Sequence, residues 1–177
     1  MKNTAYYLIL ILLFSLTACS SDDDNGNNNN NSSVGDNKIT FDISGAVEGN
    51  KSGSSYLIVV GDFSYIISNN DGTSSSDQTF SLTFHKSFDD NNIANPAPGT
   101  YPIGTVTDLA DVNGFWVVYT DTQSGEEFGG QNVSGTMTIT SNNNNQLKGT
   151  FEFSAGGYDT TEGTITVTNG SFSAAID

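Results

Sequence analysis

Few side chains in this sequence could carry chemistry. It holds one cysteine (Cys19), one histidine (His85) and no arginine, against 20 aspartates and glutamates. A zinc centre needs several His or Cys ligands, and the chain cannot supply them. Serines are plentiful, but no Gly-x-Ser-x-Gly elbow occurs. His85 falls on the polar side of an alternating segment, beside Thr83. The carboxylates Asp89-Asp90, Asp108, Asp111 and Glu126-Glu127 remain. A glycoside hydrolase sets two acids across a cleft, whereas neighbours on one loop are ordinarily solvated charges. The chain therefore reads as a non-enzyme, with a carboxylate-dependent glycoside hydrolase as the rival from another class.

Abundant oxygen donors suit a hard cation better. Asp71, Asp89, Asp90, Glu126 and Glu127 are the candidate ligands, and calcium is the only cofactor considered. Asn69-Asn70-Asp71-Gly72 resembles part of an EF-hand loop. Placing Gly72 at the sixth loop position, however, puts Ile67 at the first ligand position and Gln78 at the last. A calcium site here would be irregular and shared between two loops.

For an organic ligand the candidates are Trp116, Tyr101 and Tyr119. Trp116 and Tyr119 lie in Phe115–Tyr119, which is apolar on both sides, so core packing is the default. On an open face, Trp116 or Tyr101 would stack against a sugar ring. Two Thr-x-Thr-x-Thr rows, at residues 136–140 and 164–168, resemble ice-binding surfaces. Threonine is also simply favoured on the wet side of a sheet.

Charge narrows the partners. Five lysines face 20 acids, for a net charge of −15 and a pI near 4.1. Nucleic-acid binding needs a basic footprint, and a polybasic membrane patch needs clustered lysines. Neither is present.

The elements that must position these groups begin with an anchor. Tyr6 to Ala18 is almost wholly apolar and follows Lys2. It is shorter than the ~20 residues that span a bilayer, but it fits a secretory signal. Leu16-Thr17-Ala18-Cys19 resembles the lipobox of bacterial lipoproteins. The resemblance implies cleavage of residues 1–18 and a diacylglycerol thioether on Cys19, which meets the two-chain requirement for stable anchoring. Residues 19–37 are then the lipidated cysteine and a polar tether, with an acidic run at Asp22-Asp23-Asp24 and asparagines from Asn27 to Asn31. Such a coil would reach roughly 24 Å. The acidic run resembles the export signal of surface-exposed lipoproteins in Bacteroidota, which implies display on the cell outer membrane. A plain solvated linker is the alternative.

Residues 38–177 form one domain of usual size. Its dominant period is two, the signature of half-buried strands. Ile39, Phe41 and Ile43 alternate with polar residues, as do Phe80, Leu82 and Phe84, Met137 and Ile139, and Leu147, Phe151 and Phe153. Tyr56–Val60 and Phe115–Tyr119 are apolar on both faces and are expected to be central strands. The first continues through Gly61-Asp62 as a hairpin or a bulged strand. Asn169-Gly170 suits a type I′ hairpin turn, with a bulge in one long strand as second choice. Prolines 96, 98 and 102 bracket Gly99-Thr100-Tyr101 as a short edge strand. The expected fold is all-β: an antiparallel β-sandwich or flattened up-and-down β-barrel of about eight to ten strands.

Gly99-Thr100-Tyr101, Gly149-Thr150-Phe151-Glu152-Phe153-Ser154-Ala155 and Thr164-Ile165-Thr166-Val167-Thr168-Asn169-Gly170-Ser171-Phe172 together resemble a family of uncharacterised Bacteroidota lipoprotein domains. That resemblance covers about residues 95–175 and implies a setting and fold class, with no catalytic residue. The expected role is non-catalytic binding or structure at the envelope, with membrane, polysaccharide or envelope proteins as partners. A lipocalin-like carrier of a small apolar ligand is the runner-up. A calcium site of the kind outlined predicts that chelation lowers the melting temperature of a soluble 37–177 fragment. An unchanged melting temperature would remove it.

Overall fold

Alternating sequence becomes sheet throughout the residues described by the computed structural model, which are 36–60, 64–70, 79–87, 96–143 and 146–176. All belong to the unit Ser32–Asp177. Cys19, the 1–18 segment, Asp71, Asp89 and Asp90 lie outside them. The fold is all-β. Its strands are β1 (Lys38–Gly45), β2 (Gly49–Val60), β3 (Ser64–Asn70), β4 (Phe80–Ser87), β5 (Gly99–Ile103), β6 (Gly114–Asp121), β7 (Glu127–Asn143), β8 (Gln146–Gly157) and β9 (Thr164–Ile176).

The strands make one mixed sheet in the order β1-β2-β3-β4-β6-β5-β7-β8-β9, and β9 pairs back onto β1 to close the ladder. β5 and β6 exchange places relative to the up-and-down barrel that is one of the two expected forms. The sheet is not purely antiparallel: β5 pairs with β6 in parallel at Ile103↔Phe115, and β2 pairs with β9 in parallel at Tyr56↔Ala175 and Leu57↔Ile176. The proline-bracketed β5 pairs with β7 along all five residues but meets β6 only at Ile103, so most of it keeps one open side, as expected of a short edge strand. Val60↔Ser64 pairing makes β2 and β3 a hairpin.

Every alternating apolar set named above lies inside. Ile39, Phe41, Phe80, Leu82, Phe84, Met137, Ile139, Leu147, Phe151 and Phe153 join one buried cluster. Aromatic rings meet there edge-on, with Phe41–Phe80 centroids 5.2 Å apart and Phe84–Phe151 5.0 Å apart. Fully burying one such side chain contributes about 1.5–3 kcal/mol, and edge-to-face pairs add ~0.5–1.5 kcal/mol.

Asn169-Gly170 does not turn the chain. β9 runs straight through it as a bulged strand, with register shifts opposite Phe41 and opposite Glu152. Asn169 takes a left-handed φ of 53°, and its amide donates to Asp42 Oδ2 at 2.8 Å. Asn50 donates to the other oxygen of that carboxylate. These hydrogen bonds, Asn169's first, hold the Asp42 carboxyl below its usual range. The extra residue changes strand parity. Ile165 and Val167 face inward before the bulge, and Phe172 and Ala174 face inward after it. A hairpin there would have withdrawn β9 from the edge of β1.

Asn37 pins the chain where it enters the sheet. Its carbonyl accepts from Ser55 N at 3.0 Å, and its Oδ1 accepts from Ala175 N at 2.9 Å. Asp36 accepts from Lys148 Nζ at 3.2 Å and Gln146 Nε2 at 3.1 Å.

At Gly170, an added Cβ would meet Phe151 ring and backbone atoms at 2.5 Å. Gly170→Ala is expected to cost about 1–3 kcal/mol, as overpacking of a tight site does. Asn169→Gly, which tolerates positive φ freely, is expected to cost about 1 kcal/mol through its lost hydrogen bond. Urea unfolding of both variants tests this ranking.

Candidate functional site

The two segments that are apolar on both sides, in β2 and β6, do not bury both sides. A single sheet curled around one core has one interior, so the second apolar row must face out. In β6, Phe115, Val117 and Tyr119 are 0% exposed, while Trp116, Val118 and Thr120 are only half-buried on the opposite face. In β2, Leu57 is fully buried, whereas Tyr56 is 39% and Ile58 41% exposed. Both strands are central, as expected, with β2 between β1 and β3 and β6 between β4 and β5, but only one face of each is packed in the core.

The three aromatic candidates separate. Tyr119 packs inside against Phe41, Phe80 and Phe128, with centroids 6.2–6.4 Å apart, beyond the reach of an outside ligand. Tyr101 is half-buried, edge-on to Phe115 at 5.8 Å, and its hydroxyl donates to Ala97 O at 2.8 Å. Trp116 stands outside.

Across the β4–β6 ladder its register partner is His85. The two rings lie parallel, with centroids 3.6 Å apart and an interplanar angle of 6°. Both residues occupy outward positions, because Phe84, Phe115 and Val117 occupy the inward ones. Burial under the indole pushes the His85 pKa below 6.5, since a covered imidazolium loses hydration. The stack is therefore neutral at pH 7. On the same outer face Val118 sits across from Thr83, and the register row through His85 continues to Ile66 and Ile58.

The outward position before Trp116 on β6 is covered by the β5–β6 connection. Gly114 lies two residues before Trp116 on the outward side, and a Cβ there would meet Leu109 Cδ2 at 2.6 Å and Pro102 Cγ at 3.2 Å. The absent side chain lets Leu109, only 3% exposed, lie over the outside of the sheet. Residues 105–112 form a tight turn. Leu109 N donates to Thr105 O at 3.1 Å, and Thr105 Oγ1 donates to Asp108 Oδ2 at 2.6 Å. The Thr105 hydroxyl and amide hold the Asp108 carboxyl below its usual range. The turn leaves Val106 62% and Val112 49% exposed as a ridge.

The described carboxylates serve local structure. Asp121 is 8% exposed and accepts from Gln123 N at 3.0 Å and Ser124 N at 2.9 Å, with Lys51 Nζ 3.9 Å away. Glu126 accepts from Ser124 Oγ at 3.3 Å in the same turn. Glu127 begins β7, and its charge, after burial, helps raise the Tyr158 pKa. Among the described residues, no group of three or more His, Cys, Asp and Glu is placed to hold a metal ion. A shallow outer groove of about 200 Å³ over β7, β8 and β9 is lined by Ser134, Glu152, Ser154, Thr166 and Thr168. Ser154 and Thr166 hydroxyls hydrogen-bond each other there at 3.1 Å.

The sequence placed His85 on a wet face but gave no sign that it meets Trp116. Only cross-strand register brings residues 85 and 116 together. No protein-family model, curated protein or solved structure matches this chain.

The sole tryptophan and sole histidine therefore report on one another. Trp116 emission is expected to titrate with a midpoint below 6.5, because an imidazolium quenches a stacked indole, and His85→Asn should abolish that transition. The unfolded chain, with its histidine near 6.5, binds this proton more readily than the folded one. Stability should thus be level above that pH and fall as pH drops from 6.5 through the lower folded-state value. Urea melts across pH 7 to 5 test this, and the His85→Asn chain should show the shallower slope.

Proposed function

We propose that this chain is a cell-envelope lipoprotein, anchored through Cys19 and displayed on the outer membrane, whose β-domain has a non-catalytic binding role. The observation that carries the binding role is the outward Trp116–His85 stack. An aromatic pair left half-open on a surface otherwise rich in Ser and Thr is a costly feature without a partner, since Trp gains most from full burial. The lipobox-like Leu16-Thr17-Ala18-Cys19, the acidic run after it and the resemblance of residues 95–175 to Bacteroidota lipoprotein domains support the anchored setting.

The interior aromatics bear on the carrier reading. Phe41, Phe80, Phe84, Phe151 and Phe153 contact one another at 5.0–6.4 Å, so the core aromatics are occupied with each other. That favours recognition on the outside over a small apolar ligand held within. Local hydrogen bonding of Asp108, Asp121 and Asp159 likewise favours structural carboxylates over a hydrolytic pair.

Cys19→Ala is expected to shift the protein from the membrane to the soluble fraction and to remove it from protease attack on intact cells. A Cys19→Ala chain that still fractionates with membranes would refute the anchor. A wild-type chain that resists protease until cells are broken would refute surface display.

A further inference from the structure

We infer that the outer face of β4 and β6 is a binding site for a neutral carbohydrate, stacked on Trp116 beside His85. This deepens the binding role proposed above and rests on it. Three features of the face select that ligand.

The first is shape. His85 covers one side of the Trp116 ring at 3.6 Å, and on its other side β6 pairs at Phe115 with β5 and from Tyr119 with β7. No strand residue is registered across from Trp116 on that flank. Leu109, seated over Gly114, bounds the space below. A flat indole backed on one face by His85 fits the flat C–H face of a pyranose.

The second is polarity. Thr83 and Ser81 on β4 and Thr120 on β6 share the outward face and are half-buried. Their hydroxyls can donate to and accept from ring hydroxyls, as few-point polar contacts beside an apolar wall do in ligand sites.

The third is charge. The chain carries −15, and His85 is held neutral by burial. Of the two lysines nearest this face, Lys51 lies against Asp121 and the Phe80 ring, and Lys86, next to His85 on β4, sits across from Phe115. A uronate polymer, a nucleic acid or an anionic headgroup would meet net repulsion. A neutral saccharide would not.

The test uses the full-length chain and a panel of soluble neutral gluco-, xylo- and manno-oligosaccharides, with polygalacturonate alongside. Binding is read by calorimetry and by Trp116 emission. At least one neutral oligosaccharide should bind and shift the emission. Trp116→Ala should weaken it about tenfold or more, and Trp116→Phe should stay within about threefold of wild type, as loss or retention of one stacking ring implies. Far-UV circular dichroism of both variants should match wild type, because residue 116 lies outside the core. Binding of polygalacturonate in place of neutral sugars would overturn the inference. So would a folded Trp116→Ala chain with unchanged affinity, or a silent panel. Each of these leaves the Cys19 fractionation result untouched, so loss of the sugar site and loss of the envelope reading are told apart.

Discussion

The hydrogen bond between Asn169 and Asp42 sets the parity of the closing strand. A β-strand shows alternate residues to each face, so a long strand passing one core must keep count along its whole length. β9 passes the core for thirteen residues, with Ile165 and Val167 at one end and Phe172 and Ala174 at the other. Those two pairs have opposite parity. One residue must be spent outside the alternation, and Asn169 is that residue, turned into the left-handed region that asparagine tolerates better than most. Its amide finds the carboxylate of β1, the strand across which the ladder closes. Gly170 follows because nothing larger fits against Phe151. Closure of the sheet and completion of the aromatic core thus rest on the same few atoms.

Once the sheet closes on itself, the molecule has a single interior, and every apolar residue beyond what that interior holds must appear outside. β2 and β6 carry more than one face's worth. Their inward rows, Leu57 and Phe115–Val117–Tyr119, complete the core. Their outward rows become Tyr56, Ile58, Trp116 and Val118. The structure limits this exposure where it can: His85 covers one side of the indole, and Leu109 folds back over Gly114. What is left open is narrow, aromatic and edged with hydroxyls. The same sheet-closure constraint that fixes the fold therefore decides which aromatic side chains face outward.

The fold was legible in the sequence where one face is apolar and the other polar. Phe80-Ser-Leu-Thr-Phe and Phe151-Glu-Phe need no tertiary knowledge to be read as half-buried strands. Legibility failed where the same letters serve two geometries. Asn169-Gly170 is as good in a left-handed bulge as in a type I′ turn, and only the inward positions of Phe172 and Ala174 decide between them. Continuous apolar runs failed for a related reason. Phe115–Tyr119 looks the same whether a second layer covers it or one sheet curls around it. The exchange of β5 and β6 was hidden because prolines 96, 98 and 102 mark a short strand without naming its neighbours.

The candidate site was half legible for a different reason. Trp116 was a sound candidate because a large ring on a doubly apolar strand must go somewhere, and Tyr119, one residue of the same parity as Phe115, could only follow it inward. Its companion His85 and the Leu109 ridge come from elsewhere in the chain and meet it through register and through the missing side chain of Gly114. A glycine next to a tryptophan, two residues along the same face, is in itself an unremarkable pattern. It acquires meaning when a loop is seen to use the vacancy, because Leu109 then fills the outward position before the tryptophan while cross-strand stacking on His85 fixes the plane of the indole. A ring fixed by a stacked partner loses little freedom on binding, and that preorganisation, more than the bare presence of a half-buried aromatic, is what the proposed ligand, offering only weak stacking and a few hydroxyl contacts, would need.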